Sequence, residues 1–317
     1  MRVLFCHRPG GAFGYITDSM INAFRDKGHD VRRWDGHIAS WRQFEPDLYC
    51  GASGHRQPIP EKRGKCKVAL HVNPFGPVDI SGINESQDTI NWTMKQRPNA
   101  VFGYGFESDR ILWSYWQQKN HVPWVPVPTA GDKTFFKYKP EQERTTDIVY
   151  LGGRWQYKGY TIDAYLLPVL KDGRMSYRLY GWGDWPNGIS SGILAEDAVV
   201  DFLNSGKVAP CIAEKHTHSH GIDIPERVWK VALCGAVAVH DAVPTLKQHF
   251  HTALVANSPE EMLKLCYHYS RPEHAAERQE IADAQRNEVL ANHTYHHRMA
   301  ALLRQLGFNA EADHMLS

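Results

Sequence analysis

The sequence predicts two α/β domains in one chain, each built on a doubly wound parallel sheet. Three observations support this. The 317 residues exceed what a single core usually needs. Short apolar segments alternate with helical ones along most of the chain, and two of them, at 1–6 and 147–151, run into glycines. Open sheets of this kind bind ligands at the carboxyl ends of their strands, so the two domains are expected to face a cleft that holds the site.

Strands and helices alternate through residues 1–130. Apolar residues at 1–6 predict a strand, the segment 9–14 a glycine turn, and the apolar positions of 16–24 a helix that Gly28 ends. Further strands are predicted at 30–34, 46–50, 67–72, 100–104 and 124–128, and a helix at 107–119. Strand, glycine turn, helix and strand in succession form a parallel unit, so residues 1–130 are predicted to be an N-terminal Rossmann-like domain.

Residues 129–146 are polar, lack clear periodicity and are interpreted as a linker. The alternation then resumes, with strands predicted at 147–151, 177–180, 208–212 and 236–240 and helices at 161–170, 196–204, 226–234 and 259–269. Residues 145–290 are therefore expected to form a C-terminal Rossmann-like domain. The amphipathic tail 291–317 is expected to be helical and to pack back on the N-terminal domain.

Composition narrows the class of protein. Hydrophobic residues make up 42% and charged residues 22% of the chain, as in a globular protein, and the formal net charge is +1. Proteins that only bind nucleic acid are usually more basic. No segment approaches the roughly 20 apolar residues of a membrane span, and the apolar N-terminus is too short for a signal peptide. A cytoplasmic protein without a membrane span is therefore expected.

Cysteine and histidine form no recognisable metal motif. The six cysteines are scattered without a CxxC pair and are expected to be buried thiols. Histidines cluster at 216–220 and 293–297, but no cysteine or carboxylate set with ligand spacing accompanies them. The sequence therefore predicts no metal site and no bound cofactor.

A glycine turn with two cations follows the strand at 147–151. Gly152 and Gly153 would let backbone N–H groups approach a ligand closely, Arg154 offers a planar fork for phosphate oxygens, and Lys158 adds a second positive charge. The pattern favours a diphosphate site. A plain turn with exposed cations would have the same residue types.

A second candidate segment is the polar loop at 216–226, which leads into a helix. Pro225 and Glu226 suit the first turn of that helix, whose N-terminus can hold an anion or ribose hydroxyls. The alternative is an ordinary connection between a strand and a helix.

In the N-terminal half, candidate groups follow two predicted strands. Gly11, Phe13 and Gly14 lie in a glycine-rich turn that does not complete the dinucleotide motif G-x-G-x-x-G. His71 lies at a strand end, where catalytic groups face the cleft, and Asn73 follows it. A buried, hydrogen-bonded histidine fits the same position.

Several segments resemble a known family. Residues 151–159 (LGGRWQYKG) resemble the G-R-x-x-x-x-K-G segment of GT-B glycosyltransferases. Residues 225–241 (PERVWKVALCGAVAVHD) are similar to the R-F-E-A-x-A-C-G-x-x-x-x-x-D block of the CgeB-like (spore maturation protein) glycosyltransferase group, and residues 289–303 to its closing H-T-Y-x-x-R helix. Residues 101–136 resemble the GT-B crossing between domains. The resemblance covers about 145–303 well and 100–136 loosely.

The resemblance implies the GT-B fold and a metal-independent hexosyltransferase that uses a nucleotide-diphosphate sugar, expected to be a UDP-sugar. The implied donor ligands lie in the C-terminal domain: Gly153, Arg154, Lys158, His220, Gly221, Glu226, Arg227 and Lys230. Lys230 departs from the family, which usually has a Glu there that binds the donor ribose. Glu226, one turn earlier, is the candidate substitute. A non-catalytic nucleotide- or sugar-binding protein is therefore an alternative.

The acceptor is expected to bind to the N-terminal domain, beside Gly11, Phe13, Gly14 and Asn73. In an inverting mechanism, His71, Asp79 or Asp18 is the candidate base for the acceptor hydroxyl. A retaining mechanism would need no dedicated base. The sequence leaves open the sugar, the stereochemistry and the oligomeric state.

The class of acceptor also stays open between a glycan, a small molecule and modified DNA. Residues 1–130 contain 16 Lys and Arg and 12 Asp and Glu, a local charge of 16 − 12 = +4, and they are rich in tryptophan. A basic, aromatic surface could bind DNA and stack on an extruded base, as in a phage-type enzyme that glycosylates hydroxymethylated bases. A solvated basic loop beside aromatic core residues is the simpler interpretation.

Overall fold

The computed structural model describes residues 1–6, 11–74, 85–119, 121–243 and 245–317. The chain divides into two compact units. Unit 1 consists of Met1–Thr134 and Tyr295–Ser317, and unit 2 is the continuous segment Phe135–Thr294. Each unit contains one sheet whose paired strands are all parallel, which confirms the predicted class of two parallel α/β domains.

Unit 1 is built on a six-stranded sheet in the order β2-β1-β3-β4-β5-β6. The strands are β1 (Arg2–Cys6), β2 (Asp30–Trp34), β3 (Leu48–Ala52), β4 (Lys67–His71), β5 (Ala100–Gly103) and β6 (Trp124–Pro126). With helices numbered along the chain, those of unit 1 are α1 (Gly11–Asp26), α2 (Ile38–Phe44), α3 (Gln87–Lys95), α12 (Tyr295–Gln305) and α13 (Asn309–Leu316).

Both faces of this sheet are buried, because successive side chains of a strand point to opposite faces. On one face, Phe5 packs in a cluster with Phe24 of α1 and Met299 of α12. On the other face, Leu4 packs in a cluster with Trp41 of α2. Strands covered on both faces read as unbroken apolar segments, which explains why β1 and β4 were recognisable in the sequence.

Unit 2 is built on a five-stranded sheet in the order β11-β10-β9-β7-β8. The strands are β7 (Thr146–Leu151), β8 (Tyr177–Tyr180), β9 (Gly206–Cys211), β10 (Val237–His240) and β11 (Leu254–Val255). The helices are α4 (Gln156–Thr161), α5 (Leu167–Lys171), α6 (Val199–Asn204), α7 (Lys215–His220), α8 (Arg227–Leu233), α9 (Leu246–His249), α10 (Pro259–Ser270) and α11 (Ala275–Asn292). Because β10, β9 and β7 are neighbours and parallel, the turns that follow them meet at one edge of the sheet.

The structure differs from the sequence prediction in several helices. The predicted helix 107–119 is a 3-10 helix at Glu107–Trp113 followed by a π-helix at Tyr115–Lys119, and the polar loop after β9 contains helix α7. Short π or 3-10 segments also precede α5 (Ile162–Leu166), α6 (Glu196–Ala198) and α11 (Pro272–His274). Short helices with few apolar positions give little periodic signal.

All six cysteines are buried thiols, as expected from their scattered positions. Across the described ranges, no helix is long and apolar enough to cross a membrane.

Candidate functional site

The candidate site of unit 2 lies where β7, β9 and β10 end. The turn after β7 contains residues 152–155, the connection after β9 runs from Ile212 to Glu226, and Asp241 directly follows β10. The structure therefore brings together the two segments that the sequence analysis selected separately, 151–159 and 216–226. Their helices, α4, α7 and α8, all begin near this edge.

The turn after β7 needs glycine because other groups occupy the space of a side chain. A Cβ on Gly152 would overlap the guanidinium of Arg227, and one on Gly153 would lie 2.5 Å from Cε2 of Trp182. The next strand ends in a matching turn, in which a Cβ on Gly183 would overlap the backbone oxygen of Arg154. The two turns therefore pack backbone against backbone.

Arg154 is held by neighbouring groups. Its Nε and Nη2 donate to the two carboxylate oxygens of Asp163, at 3.0 and 2.7 Å, and its Nη1 donates to the backbone oxygen of Asp184 at 2.8 Å. The hydrogen bonds and charge of Asp163 raise the pKa of Arg154 further. These bonds use three of the five N–H donors of the guanidinium and fix its plane.

Lys158 is a buried cation in the first turn of α4, with 6% of its surface exposed. Burial, together with the positive charge of Arg227, lowers the pKa of Lys158 to about 7, although the carboxylates of Glu214 and Asp241 act in the opposite direction. In the part of the chain that the structure describes, no carboxylate lies within ion-pair distance of its Nζ. Burying an ammonium without such a partner costs free energy, and an anionic ligand would compensate this cost.

Arg227 joins the ends of two strands. Its Nε donates to the backbone oxygen of Leu151 at 2.6 Å, its Nη1 donates to that of Ile212 at 3.4 Å, and its guanidinium carbon lies 4.3 Å from the ring centroid of Tyr150. Arg227 thus fixes the end of β7 relative to the residue after β9, and it adds a second positive charge beside Lys158.

A histidine and an aspartate form an ion pair where β10 ends. His218 places Nε2 2.9 Å from Oδ2 of Asp241 and Nδ1 2.9 Å from the backbone oxygen of Ala242. Both partners are hydrogen-bond acceptors, so an imidazolium, which donates from both nitrogens, fits this position. Burial lowers the pKa of His218, but the hydrogen bond and charge of Asp241 outweigh burial and raise it. Asp241 also accepts from the backbone N–H of Ala213 at 2.8 Å, which links the ends of β9 and β10.

Three further groups converge at the start of α7. Nδ1 of His216 lies 3.6 Å from Oε2 of Glu214, and Nε2 lies 3.2 Å from Oδ2 of Asp223. The three side chains could hold a cation, since one ligand atom from each lies within 4.8 Å of the others. Without a metal, a protonated His216 fits the same position. Burial lowers its pKa, but the hydrogen bond of Asp223 and the negative charges of Asp223 and Glu214 together raise it.

The remaining predicted donor ligands lie around α8. Glu226 and Lys230 form an ion pair with each other, one turn apart on the helix, and Nζ of Lys230 lies 5.1 Å from the ring centroid of Phe136. Gly221 ends α7 in the left-handed conformation, directly after His220. The predicted ribose ligand Glu226 is therefore paired with Lys230, at the position where the resemblance to the CgeB-like group led us to expect Glu.

In unit 1, His71 is buried at the end of β4, with its ring 4.2 Å from that of Tyr104. Phe13 is 44% exposed and stacks on Tyr104, with the two ring centroids 6.0 Å apart. Asp18 forms an ion pair with Arg33. The third candidate base, Asp79, lies outside the described residues.

Three other predicted acceptor-side residues are placed by the backbone. Gly11 begins α1 and Gly14 is buried within it. The backbone N–H of Asn73 donates to Glu85 Oε1 at 2.8 Å. A cavity beside His71 is lined by Thr17 and Met20 of α1 and by residues of β1, β3 and β5.

Sequence reasoning missed Trp182, Glu214 and Asp241. The indole of Trp182 is 58% exposed and covers the backbone of Gly153. Its only sequence signal is the segment 181–185, GWGDW, which reads as a turn. Glu214 and Asp241 each follow a strand of the sheet, and position after a strand was the signal that could have selected them.

Comparison with known proteins agrees with this geometry. Residues 164–304, which lie mostly in unit 2, match the model of a family described as glycosyl transferase-like. The match supports the glycosyltransferase class that the sequence resemblance implied for this part of the chain. No curated protein matches the chain in sequence.

Solved structures match almost the whole chain. T4 phage β-glucosyltransferase (BGT) in complex with its UDP-glucose substrate is 13% identical, with a TM-score of 0.61, over 99% of this chain and 100% of that one. BGT with UDP and Mn²⁺ is 14% identical, with a TM-score of 0.57 and the same coverage. Sucrose-phosphate synthase from Thermosynechococcus elongatus is 10% identical, with a TM-score of 0.63, over 96% of this chain and 99% of that one. These likenesses confirm the predicted GT-B fold.

Proposed function

We propose that the chain is a hexosyltransferase that moves a sugar from a UDP-sugar to an acceptor hydroxyl. The observation that carries the proposal is the buried cation Lys158, which lies near Arg227 and four residues after Arg154, beyond the glycine-rich end of β7. Arg227 lies within residues 164–304, which match a glycosyl transferase-like family, and Arg154 and Lys158 lie shortly before them in the sequence. BGT, with the same fold, binds UDP-glucose.

In the proposed reaction, the acceptor oxygen forms a bond to the anomeric carbon while the bond from that carbon to the diphosphate oxygen breaks. UDP leaves with the bonding electrons, so negative charge grows on the diphosphate. Lys158 and the two arginines stabilise that charge, and the buried ammonium of Lys158 has the largest effect because it lies away from water.

These cations support a reaction that needs no divalent metal, and metal independence is part of the proposal. The competing arrangement is a cation held by Glu214, His216 and Asp223. Transfer rates measured with EDTA and with added Mn²⁺ distinguish the two. A rate that requires Mn²⁺, and that His216→Asn abolishes, would show the metal-dependent reaction.

The direct test of the function is calorimetric titration with UDP, GDP and UDP-glucose, followed by an assay of sugar transfer or hydrolysis. We expect UDP and its sugar to bind and the double variant Arg154→Ala, Lys158→Met to lose binding. The matched control is Lys215→Met, an exposed lysine at the start of α7. Absence of binding by any nucleotide, or unchanged binding in the double variant, would contradict the proposal.

Trp182 is expected to stack on the nucleotide base. The turn that carries it is fixed, because the N–H of Gly181 donates to the oxygen of Gly192 at 2.7 Å and Ser190 Oγ donates to the oxygen of Gly181 at 3.0 Å. Stacking of a base on an aromatic ring contributes about 1–3 kcal/mol. Trp182→Ala should therefore weaken UDP binding about tenfold or more, and Trp182→Phe much less. Titration with pyrophosphate, which lacks the base, is the control, and an equal loss there would show that Trp182 only supports the turn.

Binding of UDP-glucose is expected to take up a proton near neutral pH. The pKa of Lys158 is lowered to about 7 in the free protein, and the negative diphosphate should raise it in the complex. Affinity should therefore be full below about pH 7 and fall as the pH rises above it. Calorimetry of UDP-glucose in two buffers with different ionisation enthalpies measures the uptake, since the diphosphate diester itself does not titrate in this range. The uptake should vanish in Lys158→Met.

His71 is the base that we propose among the described candidates. It lies at a strand end beside the exposed ring of Phe13, whereas Asp18 is paired with Arg33. His71→Asn should lower kcat by about 10²–10⁴-fold, the usual contribution of a general base, with little change in UDP binding. Asp18→Asn is the comparison and should leave kcat within a few-fold. Equal effects of the two variants, or an unchanged kcat in His71→Asn, would refute this assignment.

A DNA acceptor is the second candidate, and it would place the chain with phage-type relatives. BGT is a DNA-modifying enzyme and aligns with 99% of this chain, and residues 1–130 have a charge of +4. Transfer to DNA with hydroxymethylated bases, compared with unmodified DNA and with free sugars, tests the class of acceptor. Affinity for DNA should fall steeply with salt.

The resemblance to the CgeB-like group is retained within the proposal, and the chain departs from that group at the ribose ligand, where it has Lys230. Because Glu226 is paired with Lys230, we propose that ribose binding separates this pair and leaves Glu226 on the hydroxyls. The non-catalytic alternative predicts binding without turnover. Measurable hydrolysis or transfer that Arg154→Ala abolishes would exclude it.

A further inference from the structure

Three side chains typical of transition-metal sites meet at the turn between α10 and α11. His268 lies in the last turn of α10, His274 ends the short 3-10 helix Pro272–His274, and Glu277 lies in the first turn of α11. None of the three contributes to the strand ends that form the candidate donor site. The proton-transfer and phosphate-binding steps proposed above do not use them.

Their ligand atoms converge on one point. His268 Nε2 lies 2.8 Å from Glu277 Oε2, and His274 Nδ1 lies 3.3 Å from the same oxygen. The two imidazole rings stack with centroids 3.6 Å apart. Two atoms bound tetrahedrally to Zn²⁺ at 2.0–2.1 Å lie roughly 3.3 Å apart. The two nitrogen–oxygen separations need shifts of up to about 0.5 Å to admit the ion. The stacked imidazole rings must also turn apart, to about 5 Å between centroids, because two rings bound tetrahedrally to one ion diverge from it.

The surrounding backbone holds this arrangement in place. Nη1 of Arg278 donates to the backbone oxygens of Tyr269 and Arg271, at 2.9 and 3.1 Å, and so closes the turn after α10. The hydroxyl of Tyr269 donates to Glu277 Oε1 at 3.2 Å. This bond orients the carboxylate and directs its other oxygen, Oε2, at the histidines, as outer hydrogen bonds do around metal ligands.

We propose that His268, His274 and Glu277 form a Zn²⁺ site that fastens the end of α10 to the start of α11, with water completing the coordination. Two imidazole nitrogens and one carboxylate select zinc or similar transition metals over Mg²⁺ and Ca²⁺, which prefer oxygen ligands. The site is structural, and it stands whether or not the chain transfers a sugar. The spacing H-x5-H-x2-E matches no common metal motif, so the sequence alone gave no signal for it.

The test uses the full chain after treatment with a chelator. Calorimetry with ZnCl₂ should show one site, and the melting temperature should rise with the Zn²⁺ concentration, because a ligand that binds only the folded state stabilises it. MgCl₂ should do neither. Co²⁺ in place of Zn²⁺ should give the visible absorption of a tetrahedral nitrogen and oxygen site.

Variants identify the ligands. The double variant His268→Ala, His274→Ala should lower Zn²⁺ affinity at least about tenfold. Glu277→Gln keeps the side-chain volume and one oxygen, and it should also weaken Zn²⁺ binding. The assignment of the ligands then does not depend on whether the double variant folds correctly. His251→Ala is the matched control. It removes a histidine that is also paired with a glutamate, at 2.9 Å from Glu288, but this pair has no second histidine.

Two outcomes would overturn the proposal. One is the absence of stoichiometric Zn²⁺ binding, and the other is unchanged Zn²⁺ affinity in the double variant. Loss of the binding in His216→Asn instead would assign the ion to the group of Glu214, His216 and Asp223. UDP binding, measured on the same samples, should be unchanged in the double variant.

Discussion

Replacing Lys158 with methionine is expected to abolish tight binding of UDP-sugars and to make the free protein more stable. The methionine keeps the buried apolar stem and removes the charge. Removing one partner of a buried charge pair typically weakens the free energy of binding by about 2–5 kcal/mol. The affinity for UDP-glucose should therefore fall about 100-fold. Calorimetry measures this loss.

The gain in stability follows from the pKa of Lys158. Its folded-state value, about 7, lies well below that of an unfolded lysine, so folding is opposed by the charged form. The penalty is full below about pH 7 and disappears as the pH rises toward the unfolded pKa. Near neutral pH, Lys158→Met should raise the free energy of unfolding by on the order of 2–4 kcal/mol.

Denaturant unfolding between pH 6 and about 10 tests this second effect. The wild-type protein should gain stability with pH over this range, and the variant should show a flatter profile. Lys215→Met, which removes an exposed lysine, should change neither property. A variant that unfolds more easily than the wild type at pH 7 would show that Lys158 is stabilised by its surroundings rather than strained by burial.

Gly183→Ala is expected to have the second largest effect. Gly183 has φ of +98°, and a Cβ there would overlap the backbone oxygen of Arg154. The clash cannot be relieved by a flexible side chain, so the turns after β7 and β8 must separate. We expect a loss of about 3 kcal/mol of stability, together with a fall of at least tenfold in UDP affinity, as Arg154 and Trp182 move.

A second glycine separates the two causes of this loss. Gly188 lies in the same connection after β8 and also has positive φ, +78°, but nothing lies within 4 Å of a Cβ built on it. Gly188→Ala should therefore cost only about 1 kcal/mol from backbone strain and leave UDP affinity unchanged. Equal losses in the two variants would show that conformation, not the packing of the two turns, is what Gly183 provides.

The sheets, and the glycine turn after β7 that we interpret as a diphosphate site, were predictable from local sequence patterns. Parallel strands buried on both faces leave unbroken apolar segments, and the glycines and cations directly after β7 mark its carboxyl end. The predicted role of Arg154 and Lys158 depends only on that local pattern. The structure places both at the expected strand end, and their role in binding stays a prediction.

The environment of these cations was not predictable, because it comes from residues far apart in the sequence. Glu214 and Asp241 influence Lys158 from the turns after β9 and β10, and Asp163 binds Arg154 from beyond the end of α4. Helix α7 was missed since its sequence, KHTHSH, has no apolar periodicity. A local sequence pattern indicates which groups a segment offers, but it does not show which distant residues those groups contact.

The last two helices belong to unit 1 although they follow unit 2 in the chain. Met299, Leu302 and Leu303 of α12 are fully buried in the same apolar cluster as Phe24 of α1. During synthesis, the ribosome completes all of unit 2 before it releases these residues. Residues 135–294 form a continuous folding unit. The first 134 residues keep part of their apolar surface exposed until α12 and α13 have been synthesised. Unit 2 should therefore fold without help from these helices, and a chain that ends near residue 294 would expose unit 1 to chaperones.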